Sequence, residues 1–68
     1  MVKFNIGDKV EVVSNDFEEH EPYHYLDVGT LVEVIDVDRT EVRVIDRSSR
    51  HHLVQWVLPR HIRRAGEP

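Results

Sequence analysis

The sequence predicts a small all-β domain, a five-stranded barrel with a closed or nearly closed sheet. Three observations predict it. Valine and isoleucine recur at spacing two rather than three and four, as in Lys9-Val10-Glu11-Val12 and Glu41-Val42-Arg43-Val44. No periodic run exceeds about seven residues before a breaker, which is strand length and not helix length. An open five-stranded sheet in so short a chain would leave a face uncovered and two edges free, and closure removes both defects.

Each element follows from its own residues. Gly7-Asp8 opens a first strand over Lys9-Val10-Glu11-Val12-Val13, which alternates apolar and polar. Ser14 to Asp27 is polar, holds no helical period and contains Pro22, which lacks a backbone donor, so it reads as a long loop. Val28-Gly29-Thr30 leads into a second strand, Leu31 to Val37, rich in β-branched side chains. Asp38-Arg39-Thr40 turns the chain into a third strand, Glu41 to Asp46, and the two form a hairpin. After the polar loop Arg47–Arg50, His52 to Val57 is a fourth strand. Pro59 cannot continue a central strand, so Leu58–His61 is a tight turn before a short fifth strand, Ile62-Arg63-Arg64, and a tail over 65–68. The expected core is Ile6, Val10, Val12, Leu31, Val34, Val42, Val44, Val54, Leu58 and Ile62. Trp56 and Val57 are neighbours on one strand, and the pattern leaves open which of them points inward.

Length and composition bound the function. Sixty-eight residues make one domain with a thin core. The chain has no cysteine, which excludes disulfides and thiolate metal sites. No apolar run approaches the roughly 20 residues that span a bilayer, and the N-terminus is too mixed for a signal peptide, so a soluble cytoplasmic protein is expected. Residues 1–38 carry ten acids and two lysines, a net −8, whereas residues 39–68 carry seven arginines and three acids, a net +4. Such a split implies either two differently charged faces or acids and arginines paired across strands. Five histidines would shift the charge further between pH 5 and 8.

The order Gly7-Asp8-Lys9-Val10-Glu11-Val12, long loop, Val28-Gly29-Thr30-Leu31-Val32, hairpin, Trp56-Val57-Leu58-Pro59 and short last strand resembles the SH3-like barrel superfamily over about residues 5–64. The resemblance implies that the long loop is the first SH3 loop and that Leu58–His61 forms a 3-10 turn before the closing strand. The pattern is also similar to KOW-type barrels of transcription and translation factors, to small barrel subunits that dock ferredoxin, and to many small bacteriophage proteins. Two features depart from these relatives. The aromatic-rich ALYDY-type segment of proline-binding SH3 domains is missing, with only Tyr23 and Tyr25 and the distant Trp56, and the chain is acidic where nucleic-acid-binding KOW domains are usually basic.

The chemistry-bearing residues point to binding. Phe17, Tyr23 and Tyr25 lie on an acidic loop, and aromatic rings on an adaptable loop supply large contact area. Asp16, Glu18, Glu19 and Glu21 would meet a basic partner, or simply keep the loop solvated. Arg43, Arg60, Arg63 and Arg64, with Arg47 and Arg50, would bind phosphate if they formed one patch free of acids. A zinc site needs about four ligands, and His20 with His24, or the adjacent His51 and His52, supply too few, so no metal and no cofactor is expected. There is no cysteine nucleophile, Gly-x-Ser-x-Gly or phosphate loop, so no enzyme is expected. The leading expectation is a protein-interaction module, an accessory subunit or small regulator (phage-encoded among the options), with a protein partner met through Phe17, Tyr23, Tyr25, Trp56, Arg43, Arg60, Arg63 and Arg64. A KOW-like nucleic-acid binder is the second, disfavoured by the net charge. A structural domain of an assembly is the third.

Overall fold

A computed structural model of the chain describes residues 3–17, 24–48, 50 and 52–66. Five strands appear in it: β1 (Lys9–Val12), β2 (Leu31–Val37), β3 (Val42–Asp46), β4 (Leu53–Val57) and β5 (Ile62–Arg64), with a 3-10 turn at Pro59–His61 between the last two. All neighbours are antiparallel and the order is β4-β3-β2-β1-β5. The hydrogen-bonded ladder is unclosed, so β4 and β5 are its edges. Among the described residues, no helix is long and apolar enough to cross a membrane.

Two glycine turns set the entries to the sheet. In Asn5–Asp8 and in Asp27–Thr30 the fourth residue's N–H donates to the first residue's carbonyl, at 3.0 and 3.1 Å. Gly7 and Gly29 sit third in these turns with φ near +96° and +97°, the left-handed conformation that glycine adopts without a Cβ penalty. The second turn hands the long connection back to β1, where Gly29 N–H donates to Val12 and Val12 N–H to Thr30.

Within β2 the register slips between Val34, opposite Val44, and Asp36, opposite Arg43. The extra residue, Ile35, is a β-bulge, and it reverses which parity faces the core. Val32 and Val34 therefore point inward before it, and Val37, opposite the buried Val42, packs against the core after it.

The core consists of Val10, Val12, Leu26, Val32, Val34, Val42, Val44, Val57 and Ile62, with Phe4 and Val37 packed on it. Three expected members are corrected. Ile6 is 69% exposed in the turn before β1, Leu31 is 63% exposed, and Val54 is 36% exposed. Leu31 shares the outer face with Glu33, while Val32 takes the inner position; Val54 alternates with Val57, whose side chain is buried. Leu58 is half-buried. Val57, not Trp56, faces the core.

Candidate functional site

The residues singled out in the sequence divide among three places. On the outer face, β3 and β4 pair Arg43 with Trp56 and Ile45 with Val54. The Arg43 guanidinium lies 5.9 Å from the centroid of the Trp56 ring, within cation–π range. Val54 and Trp56 are two apart on one strand and so share that face. Ile45 and Leu31 line one pocket of about 370 Å³ with Lys9, Glu33 and Arg47 around it. A diagonal apolar stripe, Leu31–Ile45–Val54–Trp56, thus crosses the sheet between charged neighbours. Glu33 accepts from Lys9 Nζ at 2.7 Å and from Arg47 Nε at 3.4 Å. That hydrogen bond and the positive charge of Lys9, with a smaller effect of Arg47, hold the Glu33 carboxyl below its ordinary value of 4.5.

The second place is where the long loop meets the 3-10 turn. Phe17, His24 and His61 form a triangle of rings, each pair edge-to-face, with centroids 4.9 to 5.3 Å apart. His61 is fully buried and His24 nearly so. His24 Nδ1 accepts the Leu26 N–H at 3.2 Å, and His61 Nε2 donates to the Asp16 carbonyl at 2.8 Å. The first contact requires His24 Nδ1 to be without a proton, and the second requires a proton on His61 Nε2. Burial, and then the neighbouring His61, lower the His24 pKa from 6.5. Phe17 is therefore part of a packed cluster that pins both ends of the long loop, and its ring is half-buried rather than presented to solvent. Histidine's polar character hides His61 from a hydropathy pattern; its place directly after Pro59-Arg60, just before the inward-facing Ile62, was the available signal. Among the described residues no three His, Asp or Glu side chains gather where a metal ion would bind.

Tyr25 is 86% exposed. Its backbone N–H donates to Gln55 Oε1 at 2.6 Å, which ties the loop to β4. Gln55 alternates with Trp56 on β4, so its side chain points to the face opposite the Trp56 ring. Tyr23, with residues 18–22, lies outside the described residues, and so does His51.

The third place is the β1–β5 side. Arg60, Arg63 and Arg64 line one cleft of about 460 Å³ with Lys3, while Arg43 stands apart on β3. Acids and arginines pair across strands here: Arg63 meets Glu11 at 3.2 Å and Arg64 meets Asp8 at 3.4 Å. Arg60 donates to the Asp16 carbonyl at 3.3 Å, and Arg64 to that of Lys3. The charge split between the two halves of the sequence is thus partly neutralised by the fold.

No family model, no curated protein and no solved structure matches this chain.

Proposed function

We propose that the chain is a non-catalytic protein-interaction module of SH3-like barrel architecture, an accessory subunit or small regulator acting in the cytoplasm. Five antiparallel strands, a long connection before β2 and the 3-10 turn before β5 support the architecture. The observation that carries the function is the outer-face stripe Leu31–Ile45–Val54–Trp56, continuous across three strands and flanked by Arg43, Lys9, Glu33 and Arg47. An apolar centre with a charged rim, anchored by a tryptophan and an arginine, is the anatomy of a protein interface. The occupant is a partner protein with a complementary apolar patch. Acids interleaved with the arginines, and a net charge of −4, weigh against a nucleic-acid backbone as the main ligand.

The test uses Val54→Asp and Trp56→Ala, both changed on the face away from the core. Proteins captured from the native host by the unaltered chain are purified and titrated against all three chains, with circular dichroism confirming the fold. A partner whose affinity falls at least about tenfold with both substitutions supports the reading, since buried anchors of this kind each contribute about 2 kcal/mol or more. Partners that bind all three chains alike would discard it.

A further inference from the structure

β4 is an edge of the ladder, with β3 on one side of it. Among the described residues, no backbone hydrogen bond joins Leu53–Val57 to a segment other than β3. The strand pairs with β3 at five consecutive residues without a bulge, and it holds neither a charge nor a proline. Charge, proline and bulges are the usual means of blunting an edge, and β4 has none of them. Leu53 and Val54 are exposed there as well, at 40% and 36%. The opposite edge differs: β5 is three residues long and carries Arg63 and Arg64. An edge of the first kind is a template for another strand, which it binds through its backbone.

We propose that β4 pairs antiparallel with β4 of a second copy of this chain, giving a two-fold dimer with one sheet continuous through both copies. A two-fold axis at Gln55 sets Val54 opposite Trp56 of the second copy, and Leu53 opposite its Val57. Directly opposite residues project to the same face, so each outer-face contact joins an aromatic ring to a β-branched side chain, a favourable cross-strand pair. The segment Leu-Val-Gln-Trp-Val is thus complementary to its own reverse: apolar meets apolar at four positions and glutamine meets glutamine at the centre. That match names a second copy as the occupant, since neither strand brings a charge to desolvate. β5 of a second copy fits less well, offering three residues where β4 offers five. Pairing like with like also closes the assembly at two, whereas β4-to-β5 contacts would run on as a filament. The proposal rests on the strand edge and goes beyond the capture of a partner by the outer stripe.

The experiment is sedimentation equilibrium of the full chain from about 10 μM to about 1 mM. A five-residue strand pair is a small interface, so the expected result is a weak monomer–dimer equilibrium with a Kd of about 10–500 μM. Each copy has a net charge of −4, so raising salt from about 50 to about 500 mM should preserve the dimer or tighten it. In a mixture of isotope-labelled and unlabelled chain, filtered NOEs should join Val54 to Trp56 of the other copy. Leu53→Lys puts a charge on the edge, where Asp46 of β3 stands opposite it. It should weaken the dimer about tenfold or more, with the monomer still folded by circular dichroism. Leu31→Asp, on β2 and away from the edge, should leave the dimer unchanged while weakening capture of a partner through the stripe, so the two readings fail separately. A monomer throughout the range, species that grow beyond two, intermolecular NOEs that omit β4, or a Leu53→Lys dimer as tight as the original overturns the proposal.

Discussion

Leu26 and Leu31 exchange the roles that their sequence neighbourhoods suggest, and truncating each to alanine tests that exchange. Leu26 lies at the end of a polar connection, yet its side chain is buried and belongs to the core cluster. Leu31 opens an aliphatic strand, yet is 63% exposed. Removing a buried leucine side chain costs the lost transfer energy plus the energy of the cavity, about 2–5 kcal/mol. A domain of this length has a total stability of roughly 3–10 kcal/mol, at 0.05–0.15 kcal/mol per residue. Leu26→Ala would therefore remove a large part of it, whereas Leu31→Ala should stay within about 0.5 kcal/mol. Urea unfolding followed by Trp56 fluorescence reads both. With an m-value of about 1 kcal/mol/M, the Leu26→Ala midpoint should drop by 2 M or more. Leu26→Val, which removes one methylene and should cost about 1 kcal/mol, keeps the comparison measurable if the alanine variant does not fold. Equal losses at 26 and 31, or a larger loss at 31, would refute the assignment of inner and outer faces on β2.

Three other outcomes follow from local chemistry. Because the His24 pKa is lowered from 6.5, the unfolded chain takes up that proton first as pH falls; stability should be level above about 6.5, decline below it and flatten beneath the folded-state value. His24→Asn keeps an acceptor for the Leu26 N–H but does not titrate, so it should lose less stability than the unaltered chain between pH 7 and 5 in denaturant titrations; parallel profiles would contradict this. Lys9→Met should return the Glu33 carboxyl toward its ordinary 4.5, read by NMR titration, since the Lys9 hydrogen bond and charge are the main causes of the depression; the stabilisation tied to that depression is complete above about 4.5 and lost as pH falls through the lower folded value. His52 precedes β4 with φ near +48°, so His52→Val should destabilise by about 1–2 kcal/mol in thermal or urea unfolding, whereas His52→Asn, a side chain that tolerates this conformation, should be near neutral.

Strand positions were legible because β-branched residues and breakers alternate with little ambiguity: β2 and β5 match the expected spans, and the others differ by a residue at an end. Facing was less legible. In β2 the run Leu31-Val32-Glu33-Val34-Ile35 is apolar at nearly every position, and Glu33 is the residue that places Leu31 outside. The bulge at Ile35 then breaks any single parity through to Val37. In β4 the polar-out rule points the wrong way, since Gln55 shares the parity of the buried Val57 and holds the Tyr25 N–H from within. The partners of the arginines depend on register between distant strands, Arg63 and Glu11 being 52 residues apart, and no local pattern encodes that. The ring triangle of Phe17, His24 and His61 escaped for a related reason: two of its members are polar, and they come from the two ends of the long loop and from the distant 3-10 turn.

The outer stripe is informative because nothing in the core requires it. Leu31, Val54 and Trp56 sit on the face away from the valine cluster, so a polar residue at position 31 or 54 would leave the packing of Val32, Val34, Val44 and Val57 untouched. Single exposed aliphatic side chains are ordinary on small domains, where apolar atoms already make up about half of the accessible surface. A run that continues from β2 across β3 to β4 and ends on a tryptophan beneath an arginine is different, because contiguous apolar area favours association. The two sheet edges differ in the same sense. β4, Leu53-Val54-Gln55-Trp56-Val57, carries no charge, and β5 carries Arg63 and Arg64 in three residues. Charge on an edge discourages indiscriminate strand pairing, whereas the uncharged β4 borders the apolar stripe and extends it to the rim of the sheet. A domain with so small a core keeps exposed apolar area at a cost in solubility, so the proposed partner would have to cover the β2–β4 stripe for that cost to be offset.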